Sequence, residues 1–393
     1  MMPEIPTASY SPHFKGWKAV LMSLGVFVIG TEALVISPLL KDISAAFHIS
    51  DNQSGLAVAA YGLAIGLTTP VLGGISDLTS RRLVMVASLL AFSAVALAGA
   101  LATTYSQLLI TRALCGLAAG TFLTTTYAYI GDQVPYEKRA TATGRVALGW
   151  AASLVLGAPL GAAMGEAVGW RGALAAVSIL GFVTALLLTR IGDSGQSPVR
   201  AESGGLLSVL HHAIGVPRAQ ALMLAHFIAM ISFYGMYTYL GAFLRNTLEI
   251  GSAAVGKYFL AYGIGFVIAT LNTRFVDRIG KPTALIAALC VQAIAMTLVP
   301  WLAASGPIFF CVLVSWGLSQ CFAVTTTVTI ASSLSEPLRG SVLALATGAA
   351  YLGMSAGSTL MGALFERSGY MSVALACALG SVLSAALYYR AFR

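Results

Sequence analysis

The sequence predicts an all-α integral membrane protein with twelve transmembrane helices in two pseudo-symmetric six-helix bundles. The chain of 393 residues is 58% hydrophobic and 9% charged, whereas about a quarter of the residues of a soluble domain are charged. Apolar stretches of roughly 20 residues, the length of a membrane-spanning helix, recur along nearly the whole chain without strand-period alternation. The two halves of the chain also resemble each other, which indicates a duplication.

Twelve apolar runs define the predicted spans, which are numbered here in chain order. Span 1 is longer than a signal sequence and lacks a small-residue cleavage site, so we interpret it as a retained helix. Each later run is separated from its neighbour by a polar connection. The predicted ranges are 16–40, 53–75, 83–103, 106–130, 141–164, 170–190, 218–244, 254–273, 282–303, 306–331, 340–363 and 370–390.

Lysine and arginine lie mostly at one set of span ends, which predicts the orientation of the chain. Sixteen of the 22 basic residues flank that side and five flank the other. By the positive-inside rule both termini are expected on the cytoplasmic side of a bacterial inner membrane. The net charge of +8 is therefore attributed to topology, with the lipid bilayer and not a nucleic acid as partner. The five cysteines lie in apolar spans without metal-ligand spacing, so no metal is expected.

A hydrophilic stretch, RIGDSGQSPVRAESGG, separates the first six spans from the last six. The halves share DLTSRR at 77–82 with DRIGKP at 277–282, and GW at 169 with GY at 369. Duplicated six-helix halves are typical of transporters that bind substrate between the halves, near the membrane midplane. The predicted parts are an N-terminal bundle at 1–190, a cytoplasmic linker at 191–217 and a C-terminal bundle at 218–393.

Four motifs resemble signatures of the major facilitator superfamily. GGISDLTSRR between spans 2 and 3, with a second copy between spans 8 and 9, looks like its cytoplasmic loop signature, although Leu78 and Ser80 depart from it. LLITRALCGLAAG in span 4 resembles the fourth-span motif of the superfamily, and LGAPLGAAMG in span 5 is similar to the Gly-Pro motif of its proton-coupled antiporters. GTEALVISPLL in span 1 looks like the first-span motif of its twelve-helix drug:proton antiporter and sugar-efflux branch. The resemblance implies the fold of that superfamily and export as the activity.

Glu32 and Arg112 are the two ionisable residues well inside predicted spans. Such residues are costly in hydrocarbon and usually face a cavity or a partner. Counted from the span ends on the same side, both lie roughly 10 Å deep at 1.5 Å per residue. They can therefore meet, either as a proton-coupling site or as a pair that only holds spans 1 and 4 together. Asp132, at the end of span 4, is a further candidate for receiving the proton.

The charged loop between spans 2 and 3 is predicted to form a cytoplasmic gate. Asp77 ends span 2 while Arg81 and Arg82 begin span 3, so each charge opposes the dipole of its own helix. Asp77 can instead meet the N-terminus of span 11 and close the cytoplasmic side, and a solvated turn is the alternative. The other residues assigned to this gate are Arg139, Asp277, Arg278, Lys281 and Arg339.

Aromatic and amide side chains are expected to line the substrate cavity. Apolar walls with a few polar anchors suit amphipathic molecules, and simple packing is the alternative for each residue. The candidates are Tyr61, Tyr127, Tyr234, Tyr237, Tyr239, Tyr258, Tyr262, Gln292 and Gln320.

Three glycines surround a proline in span 5. The proline removes a backbone hydrogen bond, and the glycine spacing permits close helix contact. The resemblance to the antiporter motif favours a tight, bendable contact with span 8 that prevents leakage, and generic membrane packing is the alternative. These residues are Gly157, Pro159, Gly161 and Gly165.

Together these patterns predict a secondary active exporter of small amphipathic molecules or drugs that works by proton antiport and alternating access. A sugar or metabolite effluxer, or a facilitator without proton coupling, is the alternative, and a membrane enzyme or receptor is a remote one. No enzyme activity is expected, because the nucleophile-elbow match GMSAG in span 11 lies in a predicted helix. No cofactor is expected, since the proton gradient supplies the energy. The protein is expected to be a monomer that binds protons and a small-molecule substrate.

Overall fold

The fold is built of membrane-spanning helices joined by short connections. The structure is a computed structural model, and it describes residues 16–72, 80–192, 212–272, 274–336 and 338–392. Within these ranges all the long elements are helical, and nine helices are long and apolar enough to cross a membrane. Two of the nine, Thr141–Leu188 and Arg339–Phe392, each hold two spans, and Asp51–Leu72 completes the twelve-helix fold.

The first half of the chain carries spans 1 to 6. Several of its helices extend beyond the predicted apolar runs, because helix hydrogen bonding continues into the polar interface where the side chains are solvated. The helices are Gly16–Phe47 for span 1, Asp51–Leu72 for span 2, Arg81–Ala100 for span 3, Tyr105–Gln133 for span 4, and Tyr136–Ala152 followed by Ala158–Leu188 for spans 5 and 6.

The second half carries spans 7 to 12 in the same order. Most of the predicted linker at 191–217 lies outside the described residues, which resume at His212. The helices are Ala219–Leu248 for span 7, Ser252–Leu271 for span 8, a short helix Arg274–Ile279, Lys281–Leu302 for span 9, Pro307–Ser333 for span 10, and Arg339–Phe392 for spans 11 and 12.

One glycine separates spans 5 and 6, and one separates spans 11 and 12. Gly169 has φ 78° and ψ 164°, and Gly369 has φ 75° and ψ 176°. An L side chain rarely adopts such a positive φ, so glycine is required at both turns. A buried aromatic residue, Trp170 or Tyr370, follows each glycine and anchors the next helix.

Span 5 contains a π-helical turn at Ser153–Gly157. Pro159 follows it and cannot donate a backbone hydrogen bond, and its ring would clash with the carbonyl four residues earlier in a regular helix. A π turn absorbs this conflict by adding one residue to the turn, and such turns are frequent at functional sites. The local break expected at the proline therefore takes the form of a π turn.

Side chains cap three helix starts in the first half, those of spans 2, 3 and 4. Thr104 and Gln107 form a capping box at the start of span 4. Ser80 Oγ accepts the N–H of Leu83 at 3.2 Å and so caps span 3. Ser80 departs from the loop signature, and the structure shows that this departure supplies an N-cap, which stabilises a helix by about 1 kcal/mol.

The two ends of the bundle are named here by their residues. The basic face is the end that holds Arg81, Lys138 and Arg278, and the distal face is the opposite end. The halves meet through spans 1 and 7, spans 2 and 11, and spans 5 and 8. At each contact a glycine lies so close to a backbone carbonyl of the other half that a Cβ would meet it. The pairs are Gly241 with Ser37, Gly62 with Tyr351 and Gly263 with Leu154.

Candidate functional site

Glu32 and Arg112 form an ion pair inside the first half. Arg112 Nη1 binds Glu32 Oε1, and both side chains are 2% exposed. Arg112 also donates to the carbonyls of Ala57 at 3.2 Å and Glu32 at 3.4 Å. Its guanidinium lies 4.5 Å from the centroid of the Tyr61 ring. The two residues that the sequence places at one depth therefore meet, and their contacts join spans 1, 2 and 4.

Each member of the pair keeps one buried polar atom without a hydrogen-bond partner among the described residues. These atoms are Glu32 Oε2 and Arg112 Nη2. The neighbouring Thr31 Oγ1 is also buried without a hydrogen-bond partner among the described residues. Buried polar groups are otherwise almost always hydrogen-bonded, so such atoms require an explanation. A carboxylate held through one oxygen can accept a proton on the other, and that chemistry fits a membrane-embedded acid.

Small residues allow the helices to approach one another around the pair. A Cβ at Gly116 in span 4 would meet the Tyr61 carbonyl, and a Cβ at Gly157 in the π turn would meet the Thr31 side chain. The Tyr61 hydroxyl donates to the Ile29 carbonyl at 3.2 Å, which fixes the ring beneath the guanidinium. The motif glycines of spans 4 and 5 thus shape the surroundings of the charges.

The second half repeats this helix packing but not the charges. A Cβ at the glycine of span 10 would meet a tyrosine carbonyl of span 8, as in spans 4 and 2 of the first half. The equivalent pairs, both 201 residues apart in number, are Gly116 with Tyr61 and Gly317 with Tyr262. At the same offset Glu32 corresponds to Phe233 and Arg112 to Leu313. The ion pair therefore belongs to the first half.

An aromatic cluster extends from Tyr61 across to the other half. The ring of Tyr351 in span 11 meets the ring of Trp150 in span 5 edge-on, with centroids 6.4 Å apart. Tyr127 is 39% exposed, so this cluster is not sealed inside the core. Tyr351 also lies near three other tyrosines, Tyr61, Tyr127 and Tyr234. These rings form the central aromatic cluster.

A second group of rings lies within the second half. The Tyr262 ring is 5.1 Å from Trp316 and 5.4 Å from Tyr237, centroid to centroid. Both tyrosine hydroxyls, the Trp316 Nε1 and the Gln320 Oε1 are buried without a hydrogen-bond partner among the described residues. These groups are uncharged donors and acceptors, so this aromatic triad can satisfy a neutral polar group.

Two tyrosines predicted to line the cavity make contacts of their own, and a place in the cavity stays a prediction for both. The Tyr239 hydroxyl donates to the Ser358 carbonyl at 2.6 Å. Tyr239 lies two residues after Tyr237, so it points to nearly the opposite side of the same helix. The centroid of the Tyr258 ring lies 5.3 Å from that of Phe309 and 5.2 Å from that of Phe310, at the start of span 10. Gln292 is buried in span 9.

The residues of the predicted gate are only partly described. Asp77 and the Asp277 side chain lie outside the described part of the chain, so a contact between Asp77 and span 11 stays a prediction. Arg278 and Lys281 are exposed at the basic face, and Arg339 begins the helix of span 11.

The remaining gate residues make contacts within the first half. Arg81 Nε pairs with Asp132 Oδ2 at 2.5 Å and so joins spans 3 and 4. Arg82 Nη1 donates to the carbonyls of Thr189 and Ile191, each at 3.5 Å. Arg139 Nε donates to the Val134 carbonyl at 2.9 Å. Asp132, the further candidate for receiving the proton, is therefore paired with an arginine assigned to the gate.

The three glycines of span 5 face span 1 and not span 8, so the expected close contact with span 8 is made by other residues of span 5, Pro159 among them. In order, a Cβ at Gly157, Gly161 and Gly165 would meet Thr31, Val35 and Leu39. Span 5 does contact span 8, but through Leu154, Pro159 and Ala162. Residues four apart lie on one helix face, so the glycine spacing serves a single neighbour, and that neighbour carries Glu32.

The sequence patterns give no role to Trp150, Tyr351 or Trp316. The repeat supplied a signal for Trp316, because it stands 201 residues after Cys115 in the span 4 motif. Trp150 and Tyr351 carry no such signal, since their contact depends on how two helices from different halves are rotated. Among the described residues no group of three or more His, Cys, Asp or Glu is placed to hold a metal ion.

Twelve apolar helices in two related halves, with a buried charge pair and aromatic residues between the halves, define a multi-pass membrane transporter. The chain belongs to the Major Facilitator Superfamily, whose family model matches residues 22–358. The fold is similar to that of a D-xylose-proton symporter. The crystal structure of that protein superposes with a TM-score of 0.81 and 16% sequence identity, over 95% of this chain and 97% of the symporter.

Three relatives are similar to this chain over two thirds of its length or nearly all of it. The chain is 35% identical to YwfA, an uncharacterized MFS-type transporter of Bacillus subtilis (strain 168), over 96% of this chain and 93% of the relative. It is 23% identical to a probable sugar efflux transporter of Mannheimia succiniciproducens, over 77% and 75%. It is 25% identical to a chloramphenicol resistance protein of Streptomyces lividans, over 66% of each.

Proposed function

We propose that this transporter is a secondary active exporter that moves small amphipathic molecules out of the cytoplasm in exchange for protons. In this proposal the basic face is cytoplasmic, the membrane is a bacterial inner membrane, and the protein works as a monomer without a cofactor. The halves rock about a central site and expose it to each side in turn. The observation that carries the proposal is the buried Glu32–Arg112 pair, whose guanidinium contacts the Tyr61 ring of the central aromatic cluster.

The pair has the properties of a proton carrier. With Glu32 ionised, the two charges cancel, and a proton on the free Oε2 leaves a net positive charge at the site. Arg112 then keeps its hydrogen bonds to the Ala57 and Glu32 carbonyls and its contact with Tyr61. One proton therefore changes the attraction between spans 1 and 4 without leaving the arginine unsupported, and this change can be coupled to helix movement.

The surroundings of the pair favour amphipathic substrates. Trp150 and Tyr351 present apolar ring surfaces between the halves, and the aromatic triad supplies uncharged hydrogen-bonding groups. Apolar walls with few polar anchors are typical of sites for small lipophilic ligands. The relative named for chloramphenicol resistance supports export of drug-like molecules.

Transport in proteoliposomes tests the proposal. A panel of amphipathic cations and neutral drugs would be assayed with and without an imposed pH gradient. We expect gradient-driven transport of some members, and loss of this coupling in Glu32→Gln. Glu336→Gln removes an exposed carboxylate at the basic face and is the matched control. Transport that is independent of the gradient, or that stays coupled in Glu32→Gln, would contradict proton antiport through Glu32.

Efflux of a sugar or another polar metabolite is the second candidate. The aromatic triad favours it, because its unsatisfied donors and acceptors match the hydroxyl groups of a polar ligand. One relative is named as a probable sugar efflux transporter. Transport of neutral sugars, together with no transport of any amphipathic compound in the same vesicles, would favour this function over drug export.

A further inference from the structure

Two glutamates at equivalent places in the repeat reach across the distal face to the other half. Glu166 ends span 5 and Glu366 ends span 11, and both are exposed. Glu166 Oε2 accepts the backbone N–H of Ala253 at 2.7 Å. Glu366 Oε2 accepts the side-chain amide of Asn52 at 3.1 Å. Ala253 and Asn52 are each the second residue of their helix, so in both halves a glutamate bonds the start of a helix of the other half.

The contact of Glu166 caps a helix that cannot cap itself. Span 8 begins at Ser252, and its N-cap residue, Gly251, has no side chain to accept a hydrogen bond. A Cβ at Gly251 would meet the Glu166 carboxylate, so the glycine leaves room for it. A carboxylate bonded to a free N–H at a helix N-terminus is stabilised by both the hydrogen bond and the helix dipole. The first half thus supplies the cap of a helix in the second half.

The contact of Glu366 is weaker because span 2 already has its own cap. Ser50 and Gln53 exchange hydrogen bonds at 3.0 Å and 3.2 Å around the start of that helix. Glu366 therefore bonds the exposed amide of Asn52 and not a backbone N–H. An exposed side-chain contact of this kind contributes little, at most about 1 kcal/mol.

Other polar contacts close the same face between spans 1 and 7. Asp42 Oδ2 pairs with Arg245 Nη1 at 2.8 Å, and Lys41 donates to Asn246. All three contacts between the halves therefore carry polar bonds at their distal ends. A transporter that opens toward the distal side has to break these bonds.

We propose that Glu166 with Ala253 and Glu366 with Asn52 form a duplicated distal latch that holds the distal face closed, with Glu166 as its stronger arm. The latch rests on the alternating access of the proposed function. Its role is distinct from that of the Glu32–Arg112 pair. Glu166 and Glu366 stabilise the closed distal face, whereas the pair binds the proton.

Distances across the distal face test the latch without measuring transport. Leu101 and Trp301 lie at equivalent ends of spans 3 and 9 and are 70% and 71% exposed. Spin labels would be attached through Leu101→Cys and Trp301→Cys. Cys290 and Cys311, the exposed native cysteines of the described chain, would be replaced by Ser. Double electron–electron resonance in nanodiscs then gives the populations with short and long label distances.

Losing the cap should open the distal face. Glu166→Ala and Gly251→Ala are each expected to raise the ratio of open to closed molecules about fivefold to tenfold, as for the loss of a helix N-cap. Glu366→Ala should raise it about twofold. Glu166→Gln keeps an acceptor without the charge and should lie between wild type and Glu166→Ala, which guards against misfolding as the cause.

Glu249→Gln is the matched control, because it removes an exposed carboxylate from the loop just before span 8. Equal opening in Glu249→Gln, or unchanged distances in Glu166→Ala, would overturn the latch. Loss of coupled transport in Glu32→Gln with a closed Glu166→Ala would leave the proposed function standing and refute the latch alone. If Glu166→Ala opens the distal face while transport does not depend on the pH gradient, the latch stands and the proposed function is refuted.

Discussion

Removing one partner of the Glu32–Arg112 pair should harm the fold more than replacing both. Glu32 is only 1% exposed, and Arg112→Met leaves its carboxylate without the cation that it binds. Losing one partner of a buried ion pair costs about 3–5 kcal/mol of unfolding free energy. Glu32→Gln should cost less, about 1–3 kcal/mol, because Arg112 keeps two backbone carbonyls and the ring of Tyr61.

The double variant Glu32→Gln, Arg112→Met should recover most of this loss, since neutral side chains replace both buried charges. Unfolding free energies of the four proteins in detergent micelles form a double-mutant cycle, and the coupling energy is the difference from additivity. Additive effects, or an Arg112→Met protein as stable as wild type, would refute the buried pair. A stable double variant that has lost the response to a pH gradient would separate proton coupling from a purely structural lock.

Three further outcomes follow from the structure. Trp150→Leu should raise KM for an amphipathic substrate with little change in maximal rate, and an unchanged KM would remove Trp150 from the site. Gly317→Ala places a Cβ against the Tyr262 carbonyl and should cost about 1–3 kcal/mol, whereas Gly340→Ala meets nothing within 4 Å and should be neutral. Equal melting temperatures of these two variants would contradict the close packing. Ser80→Ala should cost about 1 kcal/mol and Ser80→Asp much less, and equal losses would argue against the cap.

The sequence was sufficient where one-dimensional quantities decide the structure. Apolar length located the helices, because a bilayer sets the number of residues that a span needs. Rise per residue placed Glu32 and Arg112 at one depth, and cost in hydrocarbon made each require a partner. Both arguments depend on distance along a helix, which a single sequence contains.

The sequence was insufficient where helix rotation decides the contact. Glycines four apart in span 5 predict a close neighbour, but they do not say whether it is span 1 or span 8. Arg81 and Asp132 end different helices, and nothing in the sequence pairs them. The faces of Tyr237 and Tyr239 were likewise open, because aromatic residues occur on lipid-facing, interfacial and core surfaces of a span.

The breaks at Gly169 and Gly369 show what a duplicated protein conserves within itself. Both halves kept the same backbone conformation at this turn, while the positions of Glu32 and Arg112 diverged to Phe233 and Leu313 in the other copy. A turn made by a single residue offers no loop in which an insertion is absorbed, so lengthening it would displace a whole span. The connection between these spans is therefore expected to keep its length. Side chains with different chemistry can replace one another between the copies along the helices, because such substitutions leave the turn unchanged.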